Sequence, residues 1–413
     1  MKVIIIMYII FLSSSVYALT LNECIDKAIN THPNIKNATL DVSMSEASIK
    51  IAKADYLPQV TLNGEYNPTR TYIFPANGTF NTKDSDGWSV GGVVNQKIWD
   101  FSKTISNIEA QRVSKDAQNL TLEDAKALLA YRVKLQYELI LVQTQAIKVR
   151  EKDLKVKEEL YKQAQAFVNN GMKTIADSTR FLSAVYQAKD NLAIAKAGFE
   201  KARVTLSLYI NEPIPADVIF QNTLKNHTLY EMDEKRVLNN SLTLKSLQKN
   251  IKKESLNYKA AKASHYGSLD GVASYTHQYT LNEYDSTLVG LTLKIPLYSG
   301  GRTTQQVQQA MINRKKIEAT YDSKKLEIRE EFESLGIDIK RYAQTIKAKE
   351  SEIEASKQTQ ELLEARYKEG LSTYIEVLDA YAITLDAKLS LLQAIYERSS
   401  AIHRIEYLQG KII

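Results

Sequence analysis

Gly370-Leu371-Ser372-Thr373-Tyr374-Ile375-Glu376-Val377-Leu378-Asp379 decides the fold because it occurs twice. About 199 positions earlier the chain reads Gly171-Met172-Lys173-Thr174-Ile175-Ala176-Asp177-Ser178-Thr179-Arg180. In each copy a Gly stands where a helix end needs a left-handed residue, and a Thr with an acid three residues on forms the pattern of a capping box. One helix stops and another starts almost at once. Gly171, Thr174, Gly370 and Thr373 therefore mark the tips of two helical hairpins.

Outward from each tip the pattern is long and helical. From Ser102 to Gly171 there is no Gly or Pro, a span of about 68 residues or roughly 100 Å of helix. Leu135, Leu139, Val142, Ala146 and Val149 mark one seam, and Val133, Ile140, Ile147, Leu154 and Tyr161 recur every seven residues on another side. A helix with two apolar seams packs neighbours on two sides. Beyond the first tip, Phe181, Val185, Ala188, Leu192, Ala195, Phe199, Ala202, Leu206 and Tyr209 follow steps of four and three. The second half repeats this, with Ile328, Phe332, Leu335, Ile339, Tyr342 and Ile346 before its tip and Leu378, Ala382, Leu385, Leu389, Leu392 and Tyr396 after it.

Upstream of each long helix the period changes to two. A short helix over Leu19 to Asn30 and a second from Pro33 to Tyr56 end at Leu57-Pro58, and Val60, Leu62, Gly64 and Tyr66 then alternate with polar residues. A polar loop is expected over Pro75 to Gly87, followed by a strand from Trp88 to Trp99. The counterparts are Ser268 to Tyr279 and Thr287 to Tyr298, joined by Leu281 to Asp285. The predicted organisation is a signal peptide over 1–18 and a first repeat over 19–210, with hairpin 58–99, long helix 102–169 and helix 175–210. A linker over 211–229 and a second repeat over 230–413 follow, the latter with a helix, hairpin 268–298, long helix 302–369 and helix 374–410.

Composition bounds the function. Of 413 residues only 7 are Pro and 15 Gly, while a quarter are charged and 24 are Tyr, a long-helix composition with extra aromatics. Lys2, the apolar run Val3 to Leu12 and Val16-Tyr17-Ala18 read as a secretory signal. No later apolar stretch is long enough to span a bilayer as a helix, so the exported chain is expected to be soluble or a closed β-barrel. One cysteine, Cys24, excludes an intrachain disulfide framework, and charged Glu23 before it argues against lipidation. The net charge of +6 is spread along helices beside acids, which disfavours nucleic acid. The five histidines have no metal-ligand spacing, and there is no phosphate loop or nucleophile motif, so no cofactor, metal or catalysis is expected.

Four strands cannot close a barrel, and open edges in lipid leave backbone groups unsatisfied at several kcal/mol each. Other copies must complete the sheet, and three chains give twelve strands with a tube of matching helices. Tyr66, Tyr72, Trp88, Trp99, Tyr275, Tyr279 and Tyr298 flank the strands, where rings settle at membrane interfaces; ordinary strand packing is the rival reading.

At this point the chain resembles the TolC family of outer-membrane efflux and secretion channels. The marks are Thr31-His32-Pro33-Asn34-Ile35, Leu57-Pro58-Gln59-Val60, Ile295-Pro296-Leu297-Tyr298-Ser299-Gly300-Gly301-Arg302, and Arg366-Tyr367-Lys368-Glu369-Gly370 running to Leu378-Asp379, in order and duplicated. The resemblance implies a mainly α chain with a membrane β-barrel: a homotrimer with a twelve-strand barrel in the outer membrane of a Gram-negative bacterium and a twelve-helix periplasmic tunnel. It implies a passive exit duct whose tips meet a periplasmic adaptor and an inner-membrane pump, either a proton-driven RND or an ATP-driven ABC transporter.

The resemblance also implies a gate at the tips, with Tyr367 as gate tyrosine, Glu376 and Asp379 as an acidic pair, and Asp177 as the acid of the first repeat. Ser372 stands where the family pattern can carry a gate arginine, so a charge-assisted link from that position is lost. The capping boxes alone also explain Asp177 and Glu376. Asp379 has no capping role, and three copies of it facing a lumen would attract cations. The competing reading is a periplasmic coiled-coil adaptor, which would be expected to have one hairpin between β-rich domains.

Overall fold

A computed structural model describes residues 18–222, 224 and 232–412. Positions 1–17 of the expected signal peptide, His227 and most of the end of the expected linker lie outside the described residues. In chain order the elements are β1 (Ala18–Leu19), α1 (Leu21–Thr31), α2 (Pro33–Ala54), β2 (Gln59–Ala76), β3 (Thr79–Trp99), α3 (Lys103–Asn169) and α4 (Ile175–Ile210). Then come β4 (Ile219–Phe220), α5 (Glu234–Asn240), α6 (Leu242–Ala263), β5 (Ser268–Tyr279), β6 (Glu283–Lys294), α7 (Arg302–Lys368) and α8 (Tyr374–Leu408). The duplication is visible in the lengths: α3 and α7 both have 67 residues, and α2 and α6 both have 22. The fold is mainly helical with β-hairpins in a two-repeat pattern.

Two compact units cut across the repeats, each taking parts of both. The first comprises the chain up to Asn37, Glu123–Ser241 and Glu327 onward; the second comprises Ala38–Leu122 and Leu242–Leu326.

The second unit holds an antiparallel sheet in the order β2-β3-β5-β6. β2 and β3 pair to their very ends around Asn77-Gly78, both left-handed at φ 52° and 77°, the Asn-Gly pair that suits a two-residue hairpin turn. This corrects the expected polar loop: Arg70↔Ser85 through Ala76↔Thr79 are paired strand residues. Consecutive Tyr72, Ile73 and Phe74 on one strand and the polar run Asn81 to Ser85 on the other hid the period there. Likewise Glu283, Tyr284 and Asp285 belong to β6 and oppose Tyr279, Gln278 and His277. β6 stops at Lys294 rather than Tyr298, before Pro296, which has no N–H to offer a ladder.

The two hairpins join through β3 and β5, from Trp88↔Tyr279 to Trp99↔Leu269. At Gly91 the strands come so close that a Cβ would meet the Tyr275 carbonyl oxygen at 2.7 Å. Between sheet and long helix the backbone repeats itself too. Phe101 and Ser102 (φ 54° and 70°) and Gly300 and Gly301 (φ 62° and 79°) are consecutive left-handed pairs at the same offset as the tips. Asp100 accepts the Thr104 backbone N–H at 2.9 Å, and Ser299 Oγ accepts that of Thr303 at 3.4 Å.

In the first unit, α1 buries Cys24, Ile25 and Ala28. Burial pushes the Cys24 thiol up to about 12, an inert structural thiol. The expected linker contains β4, which pairs in parallel with β1. The fully buried Tyr137 hydroxyl lies 2.7 Å from the Leu19 carbonyl oxygen and 2.9 Å from that of Gln221, fixing this small ribbon to α3. A buried charge cluster links α3 to α8. His403 lies 2.9 Å from both Glu138 and Glu406, Lys134 is 3.2 Å from Glu406, and Ser399 donates to Glu138 at 2.9 Å. Burial works to lower the His403 pKa, but the hydrogen bonds to Glu138 and Glu406 outweigh it and raise it to about 9. Gly336 leaves a notch in α7 in which a Cβ would meet Met232 Cε at 2.7 Å.

The seams hold in part: in α3 Val133, Ile140 and Val142 are buried, while Leu135, Leu139, Ala146, Ile147, Val149, Leu154 and Tyr161 are half-buried. Phe181, Val185, Ala188, Ala202 and Leu206 of α4 are buried, as are Ile328, Phe332, Ile339 and Ile346 of α7. In α8 the buried line is Val377, Tyr381, Thr384, Ala387 and Ala394, next to the expected stripe. Leu378, Leu385, Leu389, Leu392 and Tyr396 are only half-buried and Ala382 is exposed.

Candidate functional site: the paired hairpin tips

Both tips close in the same way. At the first, Gly171 (φ 71°) donates to the Val168 carbonyl at 3.0 Å and Met172 to Phe167 at 2.9 Å; at the second, Gly370 (φ 75°) donates to Tyr367 at 3.0 Å and Leu371 to Arg366 at 2.8 Å. These bonds make Schellman motifs that satisfy the last carbonyls of α3 and α7. The next helix is capped at once. Asp177 accepts from the Thr174 backbone N–H at 3.0 Å, and Glu376 from that of Thr373 at 2.7 Å. The bond from the Thr373 N–H, then that from its hydroxyl, hold the Glu376 carboxyl below the usual range, with Arg366 adding to them.

The two tips share one apolar cluster, in which Leu160, Ala164, Phe181, Tyr367, Val377 and Tyr381 are buried. Tyr367 is its centre. The ring meets Phe167 and Phe181 edge-on, with centroids at 5.9 and 5.6 Å, and Lys173 Nζ lies 5.6 Å from its centroid. Its hydroxyl is buried without a hydrogen-bond partner. Burial first, and the charge of Asp177 second, push the phenol up to about 12, so it is a protonated donor at any ordinary pH.

The site residues expected from sequence are therefore only partly brought together. The charge of Asp177 reaches Tyr367 across the two tips. Ser372 is buried, and its Oγ donates to the Leu363 carbonyl at 3.1 Å, tying the turn back to α7. Glu376 is engaged in its cap, while Asp379 is exposed one turn further along α8.

Sequence reading missed a second polar link. The Tyr381 hydroxyl donates to Glu364, which also pairs with Lys368 at 3.0 Å. Burial raises the Glu364 pKa, but these two bonds override it and hold the carboxyl low. The signal available was spacing, since Tyr381 stands one turn after Val377 on the buried face. Among the described residues no group of three or more His, Cys, Asp or Glu is placed to hold a metal ion, and no helix is long and apolar enough to cross a membrane.

Two capped helical hairpins meeting at their tips, with two β-hairpins fused into one open-edged sheet, define a protomer of the outer-membrane channel class. The match to known proteins agrees: residues 24–212 and 235–411 fit the family described as outer membrane efflux protein, and the chain belongs to that family. It is 24% identical over 427 residues to the outer membrane protein TolC of Vibrio cholerae, covering 97% of this chain and 93% of that one. Its fold is shared with CusC (TM-score 0.83, 17% identity, 94% of this chain and 92% of the other). It is shared equally with VceC of Vibrio cholerae (TM-score 0.81, 15% identity, 94% and 96%). The protein is thus an efflux or secretion channel of the TolC family in the outer membrane of a Gram-negative bacterium, a transporter and not an enzyme, and the adaptor reading falls.

Proposed function

We propose that the working channel is a homotrimer, in which each chain supplies four of twelve barrel strands and the matching helices of a periplasmic tunnel. The observation that carries this reading is the single four-stranded sheet with β2 and β6 as open outer edges. Those edges carry alternating apolar side chains turned to the surroundings, Leu62 at 80% and Val289 at 81% exposure among them. Lipid can cover the side chains but not the bare backbone of the edges, which needs another strand. The half-buried stripe of α8 supports the same reading, because a tube wall needs a second seam.

The covalent plan is two repeats, 19–210 and 230–413, behind a cleaved leader over 1–18 and joined by the 211–229 linker. The tips built on Gly171, Thr174, Gly370 and Thr373 are the entrance that meets a periplasmic adaptor and an RND or ABC pump. Tyr367, Asp177, Ser372, Glu376 and Asp379 form or brace its constriction. The duct is passive and takes no cofactor and no nucleic acid. Purified chain should run as a trimer by native mass spectrometry and conduct in planar bilayers with a preference for cations. A monomeric, non-conducting product would overturn the proposal.

A further inference from the structure

Within the first unit, α3, α7 and α8 line a half-open cavity of about 380 Å³, within the size range of small-molecule sites, roughly 300–1,000 Å³. It sits far up the helices, since Lys152 precedes Gly171 by about 19 residues, or roughly 28 Å of helix. Its lining has two characters. Val149, Val156 and Leu385 give an apolar wall, and Lys152, Lys388 and Asp153 give a charged one.

The charges do not balance. Asp153 is buried and is answered one turn along by Lys157 at 3.3 Å. Lys357 adds positive potential at Lys388 while pairing with Glu361 at 3.7 Å. Lys152 and Lys388 are left with no carboxylate within salt-bridge distance among the described residues. Burial, and then the repulsion of Lys152 and Lys357, lower the Lys388 pKa below the usual lysine range, while Asp153 only partly offsets them. Lys388 is half-buried and Lys152 is exposed at the cavity rim, so both line the cavity beside its apolar wall without a carboxylate pair of their own.

We propose that this cavity binds an amphipathic anion, its carboxylate or sulfonate head between Lys152 and Lys388 and its apolar body against Val149, Val156 and Leu385. The apolar wall favours such a ligand over a bare inorganic ion. The site lies within one chain and does not depend on trimer formation, though Val156 and Tyr381 join its wall to the tip cluster.

The test uses the full chain in a non-ionic detergent, titrated with 4-phenylbutanoate and followed by saturation-transfer NMR. The neutral 4-phenylbutanamide serves as a control, and so does inorganic phosphate, read by its displacement of the carboxylate signal. Saturable binding of the carboxylate is expected, with Lys388→Met and Lys152→Met each weakening it about tenfold or more and Lys388→Arg retaining it. Circular dichroism melts of the three variants confirm that each is folded, and Lys152→Met stands in if Lys388→Met is not. Absence of saturable binding, equal binding of the amide, equal binding of phosphate, or indifference to both Met substitutions would each overturn the proposal.

Discussion

Tyr367→Phe separates two roles that one hydroxyl can have. Within the chain that hydroxyl is buried with no partner, and such a group costs about 1–3 kcal/mol. The ring keeps its contacts with Phe167 and Phe181 when only the oxygen is removed. Tyr367→Phe should therefore leave the tip as stable as before or more stable by about 1 kcal/mol, whereas Tyr367→Ala should cost about 3–5 kcal/mol as the cluster collapses. In the proposed trimer, a gate role requires that the same hydroxyl take its partner across a subunit boundary. Losing one bond of about 1 kcal/mol in each of three copies removes about 3 kcal/mol from the closed state, a shift of about a hundredfold in the closed-to-open ratio. Two assays read these apart: hydrogen exchange at the Gly370 and Leu371 amides, and open probability in planar bilayers. The expected result is unchanged or slower exchange together with a raised open probability, flat across neutral pH because the phenol's pKa is about 12. Faster exchange in Tyr367→Phe would refute the claim that the hydroxyl is unpartnered within the chain. An unchanged open probability would remove Tyr367 from the gate.

Ser372→Ala should cost about 1 kcal/mol of local tip stability through the lost bond to Leu363, and Ser372→Arg more, about 2–4 kcal/mol, because the position is buried; exchange at the tip amides measures both. Gly370→Ala should cost about 1–2 kcal/mol, since the φ of 75° is left-handed while open space surrounds the added methyl; Gly370→Asn should recover part of this in the same assay. Asp379→Asn should leave the melting temperature unchanged and lower the cation preference of the channel in reversal-potential measurements. The His403 cluster predicts a pH dependence of stability. His403, raised from 6.5 to about 9, contributes fully below pH 6.5 and loses its contribution as pH rises through 9. Glu406, where hydrogen bonds and the charges of Lys134 and His403 overcome burial to lower the pKa from 4.5 to about 2, contributes above pH 4.5 and loses its contribution as pH falls through 2. Urea melts should show the wild type losing at most about 3 kcal/mol between pH 6.5 and 9, a slope that His403→Gln removes.

What could be read from the sequence follows from which signals are local. The tips were legible because a Schellman glycine and a capping box involve only residues a few positions apart. The long helices were legible because nothing interrupts them, and the offset of Gly171 and Gly370 carried the duplication. The strand ends were not, because Tyr72, Ile73 and Phe74 are consecutive and put rings or apolar side chains on both faces, while Asn81 to Ser85 are polar on both, so the stretch has no period to see, although Asn77-Gly78 marked its turn. Ser372 also escaped. Its place was legible, but its burial depends on the packing of the Gly370 turn against α7, which no local pattern encodes. The charged residues of the Glu138–His403–Glu406 cluster read as surface, since a seam rule counts only apolar positions. Met232 closing on Gly336 joins positions about a hundred apart and leaves no periodic trace.

The β3–β5 seam has a consequence for how the chain is put together. It unites hairpins from the two repeats through non-covalent pairing, while the covalent link between the repeats runs elsewhere, past Phe220. A gene divided in that connecting stretch would encode two polypeptides that keep every strand pair of the seam. In a threefold assembly such fragments would meet at six joints of one chemical kind, three of them formerly internal. Co-expressed fragments, the second supplied with an export leader of its own, should then rebuild the channel from six half-size subunits in place of three.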